Sequence, residues 1–371
     1  MKLFVLSENH EVEKRVAVTP EVAKKLVGIG HEVYVESDAG KSAGFDNEEY
    51  SSAGAAIAKA KDVSSCNVVF AINPLQADII NEIRDETILI GMQEPYSSSG
   101  NIDLFLDRRI TAFALDLIPR TTRAQYMDVL SSQASLAGYK AIIEASSIFN
   151  RGLPLMITTA GTVPAAKVLI IGAGVAGLQA IATAKRLGAI VSAFDIRTSA
   201  KEQVESLGAK FIEVESTEKI DGVYAKEMGD EYRKAQEMRL RDVLPSQDIV
   251  VTTAQIPGKK APVIIKADMV GVMKKGSILI DLASNTGGNC ELTESGKTVE
   301  TNRVKIVAFD NILNFIAFDA SRLFAKNAFA FFELLTQKMA DNGDISAIDD
   351  EIIKATLVTH NRQKYFGGLT F

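Results

Sequence analysis

The 371-residue sequence predicts an α/β protein built from two Rossmann-like, doubly wound parallel-sheet domains joined by helices. Three observations carry that prediction. Short apolar or β-branched runs alternate with helical patterns over residues 1–118. The same alternation restarts at Lys167. A glycine-rich turn, GAGVAG at 172–177, links the first strand of the second series to its first helix.

Composition sets the limits. A chain of this length exceeds one core, and 47% hydrophobic with 24% charged residues is too apolar for disorder. The net charge is −6 and no basic patch interleaved with aromatics occurs, which argues against nucleic acid as a partner. The two cysteines, Cys66 and Cys290, lie far apart without metal-ligand spacing, so reduced thiols and no metal are expected. MKLFVLSENHE becomes charged too early for a secretory segment, and no run is suited to span a membrane.

The first series reads KLFVLS, the helix PEVAKKLVGIG, then EVYVES, NVVFAI, TILIGM, IDLFLDRR and TAFALDLI. The turn after its first run, SENHEVEKR, is charged and lacks glycine, so this domain is expected to hold no nucleotide. A helix in RAQYMDVLSSQASLAGYKAIIEASSIFN, starting at Gln125, links the domains; Met127, Leu130, Ala134 and Ala137 recur on one side and Gln125, Asp128 and Ser132 on the other. The stretch before it, PRTTRAQYMDVLSSQ, concentrates Arg120, Arg123, Gln125, Asp128 and Ser131 in fifteen residues. An ordinary surface helix would carry scattered Lys and Glu instead.

The second series runs through KVLIIGAGVAGLQAIATAKRLGAIVSAFDIR, DIVVTTAQIPG, SILIDLASNTGGN and KIVAFDN. After Asp310 the pattern turns helical, and the tail, with no strand series of its own, is expected to return to the first domain. The predicted domains are 1–130 with 315–371, and 131–314.

GAGVAG follows the strand Val168 to Ile171, opens a helix, and is followed eighteen residues after Gly177 by Asp195 at the end of the next apolar run. That context makes it a dinucleotide fingerprint. Gly172 permits the tight turn, Gly174 admits the pyrophosphate, and Gly177 lets the helix approach the strand. Val175 and Ala176 begin the helix whose N-terminus faces the phosphates. Asp195, flanked by Ile196 and Arg197, should take the adenosine ribose hydroxyls and repel a 2′-phosphate, favouring NAD(H). Arg197 weakens that preference without reversing it. The strand ends bearing Thr253, Ala254 and Gln255, Leu282 and Asn285, and AFDN should meet at the carboxyl edge of the sheet, where the nicotinamide belongs.

A dehydrogenase of alcohols or amino acids also needs a group that moves a proton. Of the three histidines, His31 and His360 read as surface residues, and His10 lies in the first loop with Lys14 and Arg15. An NAD site without an evident acid or base fits hydride transfer to a carbon that exchanges no proton.

Several stretches together resemble one family: PRTTRAQYMDVLSSQASLAGY, AGTVPAAKVLIIGAGVAGLQAIATAKRLGA, KEQVESLGAKF, GVYAKEMGDEY, TTAQIPGKKAPVIIKADMV and DLASNTGGNCELTESGK. The chain is similar along nearly its whole length to the NAD(H)-binding component of proton-translocating transhydrogenases, whose wider family includes alanine dehydrogenases. The resemblance implies hydride transfer between NAD(H) here and NADP(H) on a partner domain, coupled to proton movement through a membrane-spanning subunit. It implies a homodimer, located in the cytoplasm or its equivalent and peripheral on the membrane through those partners. It also implies that Arg120, Gln125, Asp128 and Ser131 surround the dihydronicotinamide, with Gln125 reaching toward the second nicotinamide, and that Tyr224 sits in a mobile loop over the nucleotide. Alanine dehydrogenases carry a Lys after the third strand and a His after the fourth, where this chain has FAINPL and GMQEPY. That difference disfavours the alternative of a soluble amino-acid dehydrogenase of the alanine or saccharopine type. A non-catalytic NAD sensor is the third possibility. The segment NILNFIAFDAS departs from the family, which has Pro and Arg after that strand.

Overall fold

In the first series, the strands Val68–Phe70, Ile88–Gly91 and Thr111–Ala114 are buried at every position, as expected where helices cover both faces of a parallel sheet. A computed structural model describes residues 1–96, 99–214, 230–256, 258–366 and 369–370. The chain forms two compact units, Met1–Gln133 with Leu313–Phe371, and Ala134–Ile312.

Among the described residues the sheet of the first unit has nine strands. Its parallel portion runs Thr111–Ala114, Ile88–Gly91, Val68–Phe70, Lys2–Val5, Glu32–Glu36, Ala56–Ala58. Alternation along the strands makes two cores. Leu3, Val5, Phe70, Ile90 and Phe113 pack with Phe324, Phe331 and Phe332 of the helix Ala317–Asn342. Phe4, Val69, Leu89 and Ala112 pack with Ile80, Ile102 and Phe105 on the other face. Phe332 meets Phe70 edge-on at 5.4 Å, and Phe331 meets Phe113 likewise at 5.4 Å. Each such buried ring contributes roughly 1.5–3 kcal/mol.

Three features of this unit correct the sequence reading. Ala56–Ala58 is an additional edge strand, so FAINPL and GMQEPY follow the fourth and fifth strands rather than the third and fourth. The tail does contain strands: Leu357–His360 pairs antiparallel with Thr111–Ala114, and Gln363–Phe366 and Leu369–Thr370 extend the sheet. And His360 is a buried residue, its ring held between Thr111 Oγ1 at 2.9 Å and Asp344 Oδ1 at 3.1 Å.

The expected linking helix begins at Val129, not Gln125, and runs to Ile148. Gln125 lies instead in a 3-10 turn, Thr122–Met127. Asp128 separates the two by capping the helix: its carboxylate accepts from the backbone N–H of Ser131 at 2.9 Å and from the Ser131 hydroxyl at 2.6 Å. Arg123 is tied down as well, forking onto Asp350 at 2.7 and 3.0 Å, the residue that caps the helix Glu351–Thr356.

The second unit has a seven-stranded sheet in the order Lys210–Phe211, Ile190–Phe194, Lys167–Ile171, Ile249–Thr252, Ile278–Asp281, Val304–Val307, Thr298–Thr301. All pairs are parallel except the last. The strand order reverses between Lys167–Ile171 and Ile249–Thr252, and that switch point is where open α/β sheets bind ligands.

Candidate functional site at the glycine-rich turn

Lys167–Ile171 ends at Gly172, which adopts φ +99°, a left-handed conformation suited to glycine. The helix Val175–Arg186 follows, with Gly174 at its N-cap. A side chain at Gly177 would collide with the Gly172 carbonyl, so the helix can lie this close to the strand only with glycine there. At Gly174 a Cβ would meet nothing within 4 Å. The open side of Gly174 faces away from packed atoms, and the first N–H groups of the helix lack intrahelical acceptors, which together fit a pyrophosphate. Val175 is exposed and Ala176 half-buried.

The helix start is fixed from behind by a contact that the sequence reading missed. A Cβ on Gly138, in Val129–Ile148, would strike the Ala176 carbonyl oxygen, so the two helices touch backbone to backbone.

Asp195 ends the neighbouring strand region, 9% exposed. Its Oδ2 accepts from the Ala173 N–H at 2.7 Å, tying the acidic residue to the glycine turn. Arg197 supplies three further donors: its backbone N–H at 2.8 Å and its Nε at 2.9 Å to Oδ1, and its Nη2 at 2.9 Å to Oδ2. The carboxylate raises the guanidinium pKa. Ile196 is half-buried. Tyr232 packs nearby, its hydroxyl pKa pushed up by burial and then by the Asp195 charge. Beyond Arg197 an open depression of about 560 Å³ is bordered by Thr198, Ser199, Lys201, Glu202, Glu205 and Ser206. Lys201 there is paired with Glu213 while the two glutamates add negative charge, an unfavourable setting for a 2′-phosphate.

At the carboxyl edge the three later strand ends do come together. Thr253 Oγ1 donates to the Gly172 carbonyl at 3.1 Å, bringing the TTAQ loop against the glycine turn. Gln255 Nε2 donates to the Leu282 carbonyl at 3.0 Å, and Asn285 Nδ2 to the Asp310 carbonyl at 2.7 Å. Asp281, 1% exposed, gathers the Thr252 and Thr293 hydroxyls and the N–H groups of Ala283, Asn289 and Cys290. Asn289, fully buried, pairs with both sides of Ala254: its Oδ1 accepts from the Ala254 N–H at 2.9 Å and its Nδ2 donates to the Ala254 carbonyl at 2.8 Å. The sequence reading overlooked Asn289, although its place in SNTGGN, eight residues after a buried strand-end aspartate, was the available signal.

Of the residues in the polar stretch of the first unit, Asp128 and Ser131 are brought together, while Arg120 and Gln125 are exposed. Tyr224 lies outside the described residues. Where the family's alanine dehydrogenases were expected to carry Lys and His, the corresponding runs hold Asn73 and Gln93. Asn73 Nδ2 contacts the carboxylates of Glu8 and Glu13 at 3.2 Å each. Arg15 is buried and forks onto Glu13 at 2.8 and 2.6 Å. Glu13 is thus a carboxylate already seated on that guanidinium. Among the described residues no group of three or more His, Cys, Asp or Glu side chains could hold a metal ion, and no helix is long and apolar enough to cross a membrane.

A Rossmann sheet with a glycine turn at its switch point and an acidic residue hydrogen-bonded to that turn defines a dinucleotide-binding protein, and the residues present suit NAD(H). The chain belongs to the alanine dehydrogenase/PNT family: residues 4–137 match its N-terminal domain and residues 141–366 its C-terminal domain. It is 46% identical to the first of the polypeptides that make up NAD(P) transhydrogenase subunit alpha in Rhodospirillum rubrum, over 97% of each chain. The crystal structure of transhydrogenase from Sinorhizobium meliloti is similar with a TM-score of 0.87 and 41% identity, covering 100% of both chains. An alanine dehydrogenase of Staphylococcus epidermidis is more distant, 28% identical over 79% of this chain and 75% of its own.

Proposed function

We propose that the chain is the NAD(H)-binding component of a proton-translocating transhydrogenase and passes hydride directly between its own NAD(H) and NADP(H) held by a partner domain. The observation that carries this reading is full-length similarity to transhydrogenase alpha subunits combined with the glycine turn and Asp195 at the switch point. In this reading Gly172 to Gly177 cradle the pyrophosphate. Asp195, Ile196 and Arg197 meet the adenosine ribose, and Thr253, Ala254, Gln255, Leu282 and Asn285 line the nicotinamide end, with Tyr224 in a loop over the nucleotide. Arg120, Gln125, Asp128 and Ser131 serve the hydride-transfer step. Residues 1–130 with 315–371 form a domain without nucleotide.

Hydride passes from one dihydronicotinamide C4 to the other ring's C4 with both electrons, so neither ring gains or loses a proton. The residues need only hold two rings at near-attack distance and exclude water. The chain acts with an NADP-binding partner and a membrane-spanning subunit, through which it lies peripherally at the membrane on the cytoplasmic or equivalent side. It also works as a homodimer, a reading supported by the exposed apolar residues Leu155, Met156 and Ile157 at the hairpin Met156–Thr158 and Gly161–Val163.

The test is to mix the protein with the NADP-binding domain of a transhydrogenase and follow reduction of acetylpyridine adenine dinucleotide by NADPH. Reduction only in the mixture is expected. Equal rates with either protein alone would remove the reading.

A further inference from the structure

Asp195 is the group the proposed reading assigns to the adenosine ribose, yet four donors already converge on it. A carboxylate offers about four lone-pair positions, and all of them are used here. Two donors, the N–H groups of Ala173 and Arg197, belong to the main chain of the turn and cannot leave without dismantling it. The other two are Nε and Nη2 of the Arg197 side chain, each at 2.9 Å, one on each oxygen.

A guanidinium fork presents two donors side by side to the two oxygens of a carboxylate. The vicinal 2′- and 3′-hydroxyls of a ribose present the same pattern. The two therefore compete for the same lone pairs. The Arg197 side chain is 23% exposed, against 6% for Asp195, so the guanidinium has water beside it into which it can swing while the carboxylate stays in place.

We infer that Arg197 is an internal mimic of the ribose diol: its side chain closes the Asp195 carboxylate, and the adenosine half of NAD(H) gains that carboxylate only by displacing the guanidinium. Arg197 thereby limits nucleotide affinity rather than adding to it, which keeps the nucleotide exchangeable in an enzyme that must release product each turnover. The inference rests on the proposed nucleotide site at the glycine turn. It differs from the expectation that Arg197 is simply one more cofactor ligand.

The experiment measures binding of NADH and of reduced nicotinamide mononucleotide, which lacks the adenosine half, to the full chain by fluorescence titration. Arg197→Leu removes the fork and is expected to tighten NADH about fivefold, equivalent to about 1 kcal/mol. Reduced nicotinamide mononucleotide is expected to bind the variant and the unmodified chain alike. Arg197→Gln, which keeps much of the length but loses the fork, should shift NADH in the same direction and serves if the leucine variant does not fold. NADH binding that is unchanged or weaker in both variants overturns the inference, because Arg197 would then hold the nucleotide rather than compete with it. Tightening shared by the mononucleotide overturns it too, since the effect would lie away from the ribose. An unmodified chain that binds neither nucleotide would instead sink the nucleotide reading itself, and the inference with it.

Discussion

The side-chain amide of Asn289 pairs with the main chain of Ala254 through two hydrogen bonds, 2.9 Å to its N–H and 2.8 Å to its carbonyl, as a neighbouring strand would. The same Nδ2 donates to the Pro262 carbonyl at 2.9 Å, and the Asn289 backbone N–H is held by Asp281. Two loops at the carboxyl edge, 253–262 and 282–290, are thus joined by one residue with no exposed surface.

Replacing that amide should therefore act on both loops. Asn289→Ala leaves the Ala254 and Pro262 backbone groups without these partners, and a buried polar group left unpaired costs about 1–3 kcal/mol. Urea unfolding followed by circular dichroism should show a loss of that size, accompanied by weaker NADH binding. An unchanged midpoint and unchanged affinity would mean the loops are held in some other way.

Asp195 should set the choice of dinucleotide. It accepts from the Ala173 N–H and carries negative charge where a 2′-phosphate would sit, so NADH is expected to bind more tightly than NADPH. Asp195→Ala should narrow that preference by about 1–3 kcal/mol, the range for a lost polar contact. Equal affinities for the two nucleotides in the unmodified protein would end this assignment.

The chain is expected to form no NADH from NAD⁺ with alanine or saccharopine. A proton-transfer group near the substrate carbon is needed for that chemistry, and the two runs expected to carry Lys and His hold Asn73, bonded to Glu8 and Glu13, and Gln93 instead. Arg15, which could receive a substrate carboxylate, is already forked onto Glu13. Steady NADH formation with any free amino acid would favour the amino-acid dehydrogenase reading.

The fold was legible wherever local pattern carried it, and the site only partly. Both strand series, the glycine turn and Asp195 follow from apolar runs and glycine spacing within a few residues of one another. The strands of the tail were missed because their turn lacks the usual glycine: Asn361 and Arg362 adopt φ +47° and +61°, both in the left-handed region that two-residue hairpins require. The same dipeptide, Asn302 and Arg303 at +51° and +62°, turns the hairpin that ends the second sheet. The contacts of Asn289 with Ala254, of Gly138 with Ala176 and of His360 with Thr111 span 35 to 249 residues or join separate helices, so no window of sequence contains them. The start of the linking helix was misplaced because Asp128 caps it, whereas helical spacing alone extends smoothly back to Gln125.

Arg123 and Asp350 give a pH-dependent contribution to stability. Burial opposes the Asp350 charge, but the Arg123 fork and the N–H groups of Ile352 and Ile353 outweigh it and hold the carboxyl below its usual range. A folded pKa below the unfolded one means the stabilisation is present above about pH 4 and is lost as pH falls further, through the folded value. With Arg123 half-exposed, Arg123→Met should lower stability by about 1 kcal/mol at neutral pH. Urea midpoints of the two proteins should converge in acid. A difference that persists there would assign the effect to packing of the arginine stem.

The last prediction separates two residues of the polar stretch that the proposed function places at the hydride-transfer step. Arg120 follows Pro119 near the end of the first series, is permanently charged and can fork to an amide oxygen or a phosphate, so its duty should be to hold NADH. Gln125 is exposed in the 3-10 turn Thr122–Met127, one turn ahead of the helix that Asp128 and Ser131 cap. An uncharged amide on a short turn anchored by Arg123 to Asp350 is better suited to placing the incoming second nicotinamide than to binding the first. Transfer between two ring carbons depends on near-attack geometry, where a small displacement can cost on the order of 100-fold in rate. Gln125→Asn, one methylene shorter, should therefore slow hydride transfer in the reconstituted complex while NADH affinity stays within about threefold, less than roughly 0.7 kcal/mol. Arg120→Ala should weaken NADH binding to the chain alone. Stopped-flow transfer rates and NADH titrations on both variants give the answer: loss of NADH binding in Gln125→Asn together with unchanged binding in Arg120→Ala would reverse the two roles.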